Sequence, residues 1–258
     1  MLSGAIGLQI IARRLGVELG EQQFNKFNDI DTRELTFKEV YDQVSCTSQA
    51  LAAMGVAKGD RVAGFMPNMP ETIIAMLATT SLGAIWSSCS PDFGSQGVID
   101  RFLQIKPKVL ITCDYYFYNG KKINILDKVD EILKRMSSIE KVIVYNYNEA
   151  EKESLKNFID FNDTLKVDLD ESFERFEFNY PIYILFSSGT TGKPKCITHG
   201  AGNVLIEHLK EFMLHCDIGD NKKLFYYTTT GWMMWNWLVG GLATGSSIFL
   251  FDGAPVYP

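Results

Sequence analysis

The segment Ser187-Ser188-Gly189-Thr190-Thr191-Gly192-Lys193-Pro194-Lys195 gathers the groups needed to hold a polyphosphate. Gly189 and Gly192 let the backbone turn tightly and approach an anion with no side chain between. Successive N–H groups can then form an anion-binding nest. Ser187, Ser188, Thr190 and Thr191 add hydroxyl donors. Lys193 and Lys195 add positive charge, and charge-assisted hydrogen bonds are the stronger kind. Pro194 stiffens the exit. The spacing is not that of a Walker A loop, because the fifth position after Gly189 is Pro194 where that pattern needs glycine. A serine nucleophile at Ser187 or Ser188 is disfavoured too, since no G-x-S-x-G elbow surrounds either. A plain hairpin turn is the competing reading. A whole run of fitting positions between two β-prone segments sets it aside.

The same segment resembles the phosphate-binding signature of the adenylate-forming superfamily, which includes acyl-CoA synthetases, luciferases and peptide-synthetase adenylation domains. The resemblance implies a loop that wraps the β- and γ-phosphates of ATP, with Ser188, Thr190, Thr191 and Lys195 as the foremost contacts. RVAGFMPNMPETIIAMLATTSLGAIWSSCSPDFG, from Arg61 to Gly94, is similar to the acetyl- and acetoacetyl-CoA synthetase branch. VIDRFLQIKPKVLI and TTTGWMMWNWLVGGLATGSSIFLFDGAP resemble the acetoacetyl-CoA synthetases in particular. The similarity runs from about Glu34 to Pro258. It implies an acid–thiol ligase that adenylates acetoacetate or a similar short acid with ATP and then transfers the acyl group to CoA. ATP, Mg2+ and CoA are the implied substrates or cofactors. By position, Thr230, Gly231, Trp232, Met234, Trp235 and Asn236 match the family segment lining the acyl pocket. Three tryptophans between 232 and 237 suit the wall of a small pocket, with Asn236 as a polar handle. Aromatic core packing is the competing reading. Many members carry a histidine in this region; the comparable aromatic here is Trp232, so no catalytic base is assigned.

In the family the adenine pocket, the ribose-binding aspartate, a magnesium-associated carboxylate and a mobile C-terminal domain bearing a lysine all come later in the chain. The expectation is that this chain alone lacks complete synthetase activity and needs a complementing C-terminal polypeptide. The alternative is a non-enzymatic nucleotide-binding or interaction module derived from the same fold. A sheet cut partway also exposes an edge strand and apolar surface, so marginal stability or oligomerisation is expected.

The elements that must position these residues alternate between helix and strand. Thr36 to Glu39 reads as a capping box, with a helix after it and Gly55 as its stop. A strand follows at 61–66, then a helix opened by Pro70 and Glu71 and closed by Gly83. Further expected elements are a strand at 84–88, a helix at 96–105, a strand at 109–113, a helix at 127–136 and a strand at 141–147. Residues 149–180 read as a linking region with short elements. A strand at 182–186, the loop, a returning strand at 196–199, and strands at 224–227 and 247–251 complete the pass. Leu205, Leu209, Phe212, Met213 and Cys216 suggest one apolar helix face. This order predicts an α/β fold, part of the large N-terminal domain of the adenylate-forming enzymes, with a mostly parallel sheet flanked by helices. Residues 1–24 are read as an N-terminal extension and 25–258 as part of the AMP-binding domain, with the phosphate-loop segment at 180–258.

Composition narrows the function classes. The 258 residues are 46% hydrophobic and 22% charged, as in an ordinary globular protein. The net charge of −6 argues against nucleic acid as a partner. Five scattered cysteines with no CxxC argue against a disulfide framework or a zinc site and suggest a cytoplasmic protein. His208 and His215 are about 10 Å apart on a helix, too far to share a metal ion, so no metal site is assigned. His199, beside the loop, reads as structural. No apolar run is long enough to span a membrane. In MLSGAIGLQIIARR the arginines follow the apolar run, which is the wrong order for a secretory signal, and an amphipathic helix is expected there.

Overall fold

The computed structural model describes residues 9–14, 32–147, 158–167, 174–187 and 192–254. The first helix starts where the T-x-x-E pattern places it. In α1 (Phe37–Ala53) the Thr36 hydroxyl accepts from the Glu39 N–H, and the Glu39 carboxylate accepts from the Thr36 N–H at 2.6 Å. Val40, Val44 and Leu51 are buried. Helix α2 (Pro70–Ser81) has proline in its first turn, where a missing N–H costs nothing. It is buried along almost its whole length and packs against α1. An ion pair from Arg33 to Glu71 in its first turn ties it to the strand before α1.

Among the described residues the central sheet has seven strands. Its core is β3 (Arg61–Phe65), β4 (Ile85–Cys89), β5 (Val109–Cys113) and β8 (Lys141–Tyr145), all parallel. The sheet is completed by β9 (Ile159–Asp160), β10 (Pro181–Ser187) and β11 (Lys195–Gly200), in the spatial order β11-β10-β4-β3-β5-β8-β9. Only β11 runs antiparallel to its neighbour. The strands β3, β4 and β5 are buried at nearly every position, as expected where both faces are covered. Helix α3 (Ser95–Ile105) links β4 to β5, and α4 (Leu126–Arg135) leads into β8. Right-handed crossovers put α2 on one face and α3 with α4 on the other. The packing of α1 on α2 and of α3 on α4 agrees. Chain direction along the sheet reverses at β3 and β5. Their carboxyl ends therefore flank a crevice, the usual ligand site of such sheets.

A second sheet has the order β12-β13-β1-β2, formed by β12 (Lys223–Phe225), β13 (Ser247–Asp252), β1 (Gln9–Arg14) and β2 (Thr32–Thr36). A hairpin of β6 (Tyr115–Tyr118) and β7 (Lys121–Asn124) turns through Asn119 and Gly120, both at positive φ. The short α5 (Phe161–Thr164) falls in the expected linking region.

Two expectations are corrected. Gln9–Arg14 is a strand between β13 and β2, not a helix. Its β-branched Ile10 and Ile11 suit a strand once two neighbours are available to pair with it. In α6 (Ala201–Lys210) and the π-turn that follows at Glu211–His215, His208 and Phe212 are the buried positions. Leu205, Met213 and Cys216 are exposed. The wider π-turn rotates the last residues off the expected face. The final helix, α7 (Met233–Gly240), continues into a 3-10 turn at Gly241–Thr244.

Candidate functional site at the carboxyl edge of the central sheet

Because β3, β4, β5 and β10 are parallel, their carboxyl ends share one edge. The Ser87 hydroxyl donates to Ile184 O at 2.8 Å and locks β10 beside β4. Strand β10 ends at Ser187, whose register partner across the hairpin is Lys195. Ser188, Gly189, Thr190 and Thr191 lie outside the described residues. Gly192 sits in open space at φ +154°, a conformation that L side chains rarely adopt. Lys193 and Lys195 are exposed beside it. The loop therefore leaves the sheet at the edge where an α/β ligand site is expected, with two cations at its exit.

The expected acyl-lining segment meets the same edge and then leaves it. The Thr230 hydroxyl donates to Met66 O at 2.6 Å, just past β3. The Thr230 carbonyl accepts from the Ser88 hydroxyl at 2.7 Å. Gly231 lies so close to the loop after β4 that a Cβ there would stand 3.0 Å from Phe93 Cζ. Trp232 caps α7 and is half exposed, and Met234 is partly buried. The three tryptophans do not share one wall. Trp235 is fully buried and donates Nε1 to Asn68 Oδ1 at 2.9 Å. Trp237 packs on Phe212, with ring centres 4.4 Å apart. Asn236 is buried behind the edge, bordering an open groove of about 1150 Å³ lined by α1, α2, α6 and α7. Both its amide oxygen and its amide nitrogen lack a partner there.

Between β3, β4 and β13 lies a cleft of about 100 Å³ that the sequence did not suggest. Asn68, Asp92, Tyr116, Tyr227 and Asp252 are among its walls. Burial, with the charges of Asp92 and Asp252, raises the Tyr116 hydroxyl above its ordinary range; burial raises Tyr227 as well. The phenols therefore stay protonated as donors. Two carboxylates make this cleft hostile to phosphate, so an anionic ligand is favoured on the lysine side. Lys128 supports the loop after β4 by donating to Pro91 O at 2.8 Å, and burial lowers its pKa. The signal for this wall was present: Asn119-Gly120 between two β-prone runs marks a hairpin. His199 is half-buried against Tyr183 with ring centres 5.1 Å apart, and burial lowers its pKa. Among the described residues no group of His, Cys, Asp and Glu is arranged to hold a metal ion. No helix among them is long and apolar enough to cross a membrane.

The AMP-binding enzyme family matches residues 21–258. The chain belongs to that family. Within it, the chain is 52% identical over 231 residues to the acetoacetyl-coenzyme A synthetase of Rhizobium meliloti, covering 87% of this chain and 35% of that protein. It is 44% identical over 234 residues to the acetoacetyl-CoA synthetase of Mus musculus, with the same shares covered. The solved acetoacetyl-CoA synthetase from Streptomyces lividans superposes with a TM-score of 0.84 at 39% identity, over 96% of this chain and 36% of that one. This AMP-binding chain thus spans about a third of the length of the curated relatives it matches.

Proposed function

We propose that this chain supplies the phosphate-binding and acyl-binding part of an AMP-forming acid–CoA ligase acting on acetoacetate or a similar short acid. In that reaction a carboxylate oxygen attacks the α-phosphorus of Mg-ATP and pyrophosphate leaves. The CoA thiol then displaces AMP. Positioning and charge stabilisation carry the first step. Lys193 and Lys195 place positive charge beside the outer phosphates, with hydroxyl donors from Ser187, Ser188, Thr190 and Thr191. Thr230 to Trp232, held by Met66 and Ser88, present the acid from the neighbouring strand ends. The single observation that carries the reading is this meeting of the loop's flanks and the Thr230 segment at one sheet edge. Free thiols fit a cytoplasmic setting.

We assign the rest of the reaction to a polypeptide segment equivalent to the relatives' remaining length, joined to this chain or separate. The open groove of about 1150 Å³ supports this, since Leu77, Ile182 and Leu205 are among its walls and an apolar surface of this extent marks an interaction site. The chain mixed with such a polypeptide is expected to catalyse acetoacetate-dependent exchange between pyrophosphate and ATP. Asn236→Leu is expected to stabilise the chain, since it removes two buried polar atoms that have no partner. Mg-ATP binding without exchange in the mixture would favour a nucleotide-binding module. No binding in either form would overturn both readings.

A further inference from the structure

Helix α3 touches both flanks of the phosphate loop. The Gln104 amide donates Nε2 to Pro194 O at 2.9 Å, and its Oε1 accepts from Cys196 Sγ at 3.5 Å. One side chain thus spans Lys195. One turn earlier, Arg101 sets its guanidinium 5.9 Å from the ring centre of Phe186, the residue before Ser187. The same guanidinium lies 4.7 Å from the Phe93 ring and donates Nη1 to Gly97 O at 2.7 Å. Residues three apart on a helix share a face, so Arg101 and Gln104 act on the hairpin together.

The hairpin needs such a hold. Among the described residues strand β11 is the sheet edge, paired on one side alone, and its first four residues are exposed. Strand ends of this kind open locally at low cost. Gln104 is itself exposed, so its contacts to Pro194 and Cys196 are not a by-product of core packing.

We propose that Gln104 is a positioning residue of the phosphate loop: by tethering Pro194 and Cys196 to α3, it fixes where Lys195 presents its ammonium. Arg101 steadies the preceding flank through Phe186. The ligand consequence rests on the phosphate-binding reading; the tether itself does not, and can be read without nucleotide.

The test is limited trypsin digestion of the native chain. The bond after Lys193 resists trypsin because Pro194 follows it. The nick after Lys195 then reports opening at the start of β11, because cleavage of transiently opened segments tracks the open population. Gln104→Met removes both hydrogen-bonding ends, and Gln104→Glu removes the donor alone. Gln104→Glu is expected to speed this nick about fivefold, the effect of losing one hydrogen bond, and Gln104→Met, which also loses the Cys196 contact, by at least that much. Gln96→Met, on the same helix but away from the loop, should leave the rate unchanged. The melting midpoints should stay together, since all the replaced groups are at the surface. Protection by Mg-ATP should need about fivefold more nucleotide in the Gln104 variants. Nicking at the unsubstituted rate would overturn the proposal. So would acceleration shared by Gln96→Met, or unchanged Mg-ATP protection despite faster nicking. If Mg-ATP leaves even the unsubstituted chain unprotected, the phosphate reading fails, and the nicking rates still decide the tether.

Discussion

Thr230→Val removes one hydroxyl from the seam between the Thr230 segment and the central sheet. The side chain is fully buried, and valine keeps its shape. Its hydroxyl is the donor to the Met66 carbonyl at 2.6 Å, and Met66 is fully buried too. The substitution leaves that acceptor without its partner and out of reach of water. An unsatisfied buried group of this kind costs about 1–3 kcal/mol. For a chain of this size each kcal/mol moves the melting midpoint by about 2–4 °C. A loss near the middle of the range lowers it by about 4–8 °C. Ser88→Ala breaks the reciprocal bond, in which Ser88 donates to the Thr230 carbonyl at 2.7 Å. The two bonds share one residue, so the double variant should depart from additivity by at least about 0.5 kcal/mol. Thermal and urea unfolding of the four proteins measures both numbers. A midpoint change below about 1 °C for Thr230→Val, with fully additive variants, would refute the reasoning. It would mean the segment is not fastened to the sheet edge by this seam.

Two further outcomes follow from the packing. At Gly64, in the middle of β3, a Cβ would stand 2.5 Å from the fully buried Trp86 ring. Gly64→Ala is therefore expected to destabilise by about 1–3 kcal/mol, read as a lowered urea midpoint, and no change would mean the indole has room to move. Burial lowers the pKa of His208 below its ordinary 6.5, with Glu207 and Glu211 opposing the shift, and burial lowers His199 as well. The unfolded chain takes up these protons near pH 6.5 and the folded chain only at lower pH. Stability present above pH 6.5 is thus lost as pH falls below it, at up to about 1.4 kcal/mol per pH unit for His208 and less for the more exposed, better-screened His199. Unfolding midpoints measured from pH 7.5 to 5.5 check this, and His208→Gln should flatten the decline.

Much of the fold was legible because its signals are local. The Thr36–Glu39 box, Pro70 in a first turn and the apolar runs at Arg61–Phe65 and Val109–Cys113 each work within a few residues. The strand Gln9–Arg14 was not legible, because it is held between β2 and β13, and β13 lies at the other end of the sequence. The π-turn after α6 was hidden for a similar reason: periodicity assumes an unbroken helix. At the site, the loop's chemistry could be read from glycines, hydroxyls and lysines in a row. The separate directions taken by Trp232, Trp235 and Asn236 could not, because they depend on where α7 begins relative to the sheet edge. Gln104 and Arg101 gave no sequence signal at all. An exposed glutamine on a helix becomes informative only once Pro194 is seen beside it.

The most direct test of the central claim is thermal unfolding of the chain with and without Mg-ATP, beside Lys195→Ala. Nucleotide at about 100 times its dissociation constant adds about 2.7 kcal/mol. That is a rise of about 5–10 °C for a chain of this size. The account predicts such a rise in the unsubstituted chain and its loss in Lys195→Ala, with the two proteins melting alike when no nucleotide is present. A cooperative melt indifferent to Mg-ATP, or an equal rise in both proteins, would contradict the assignment of this loop as the phosphate site.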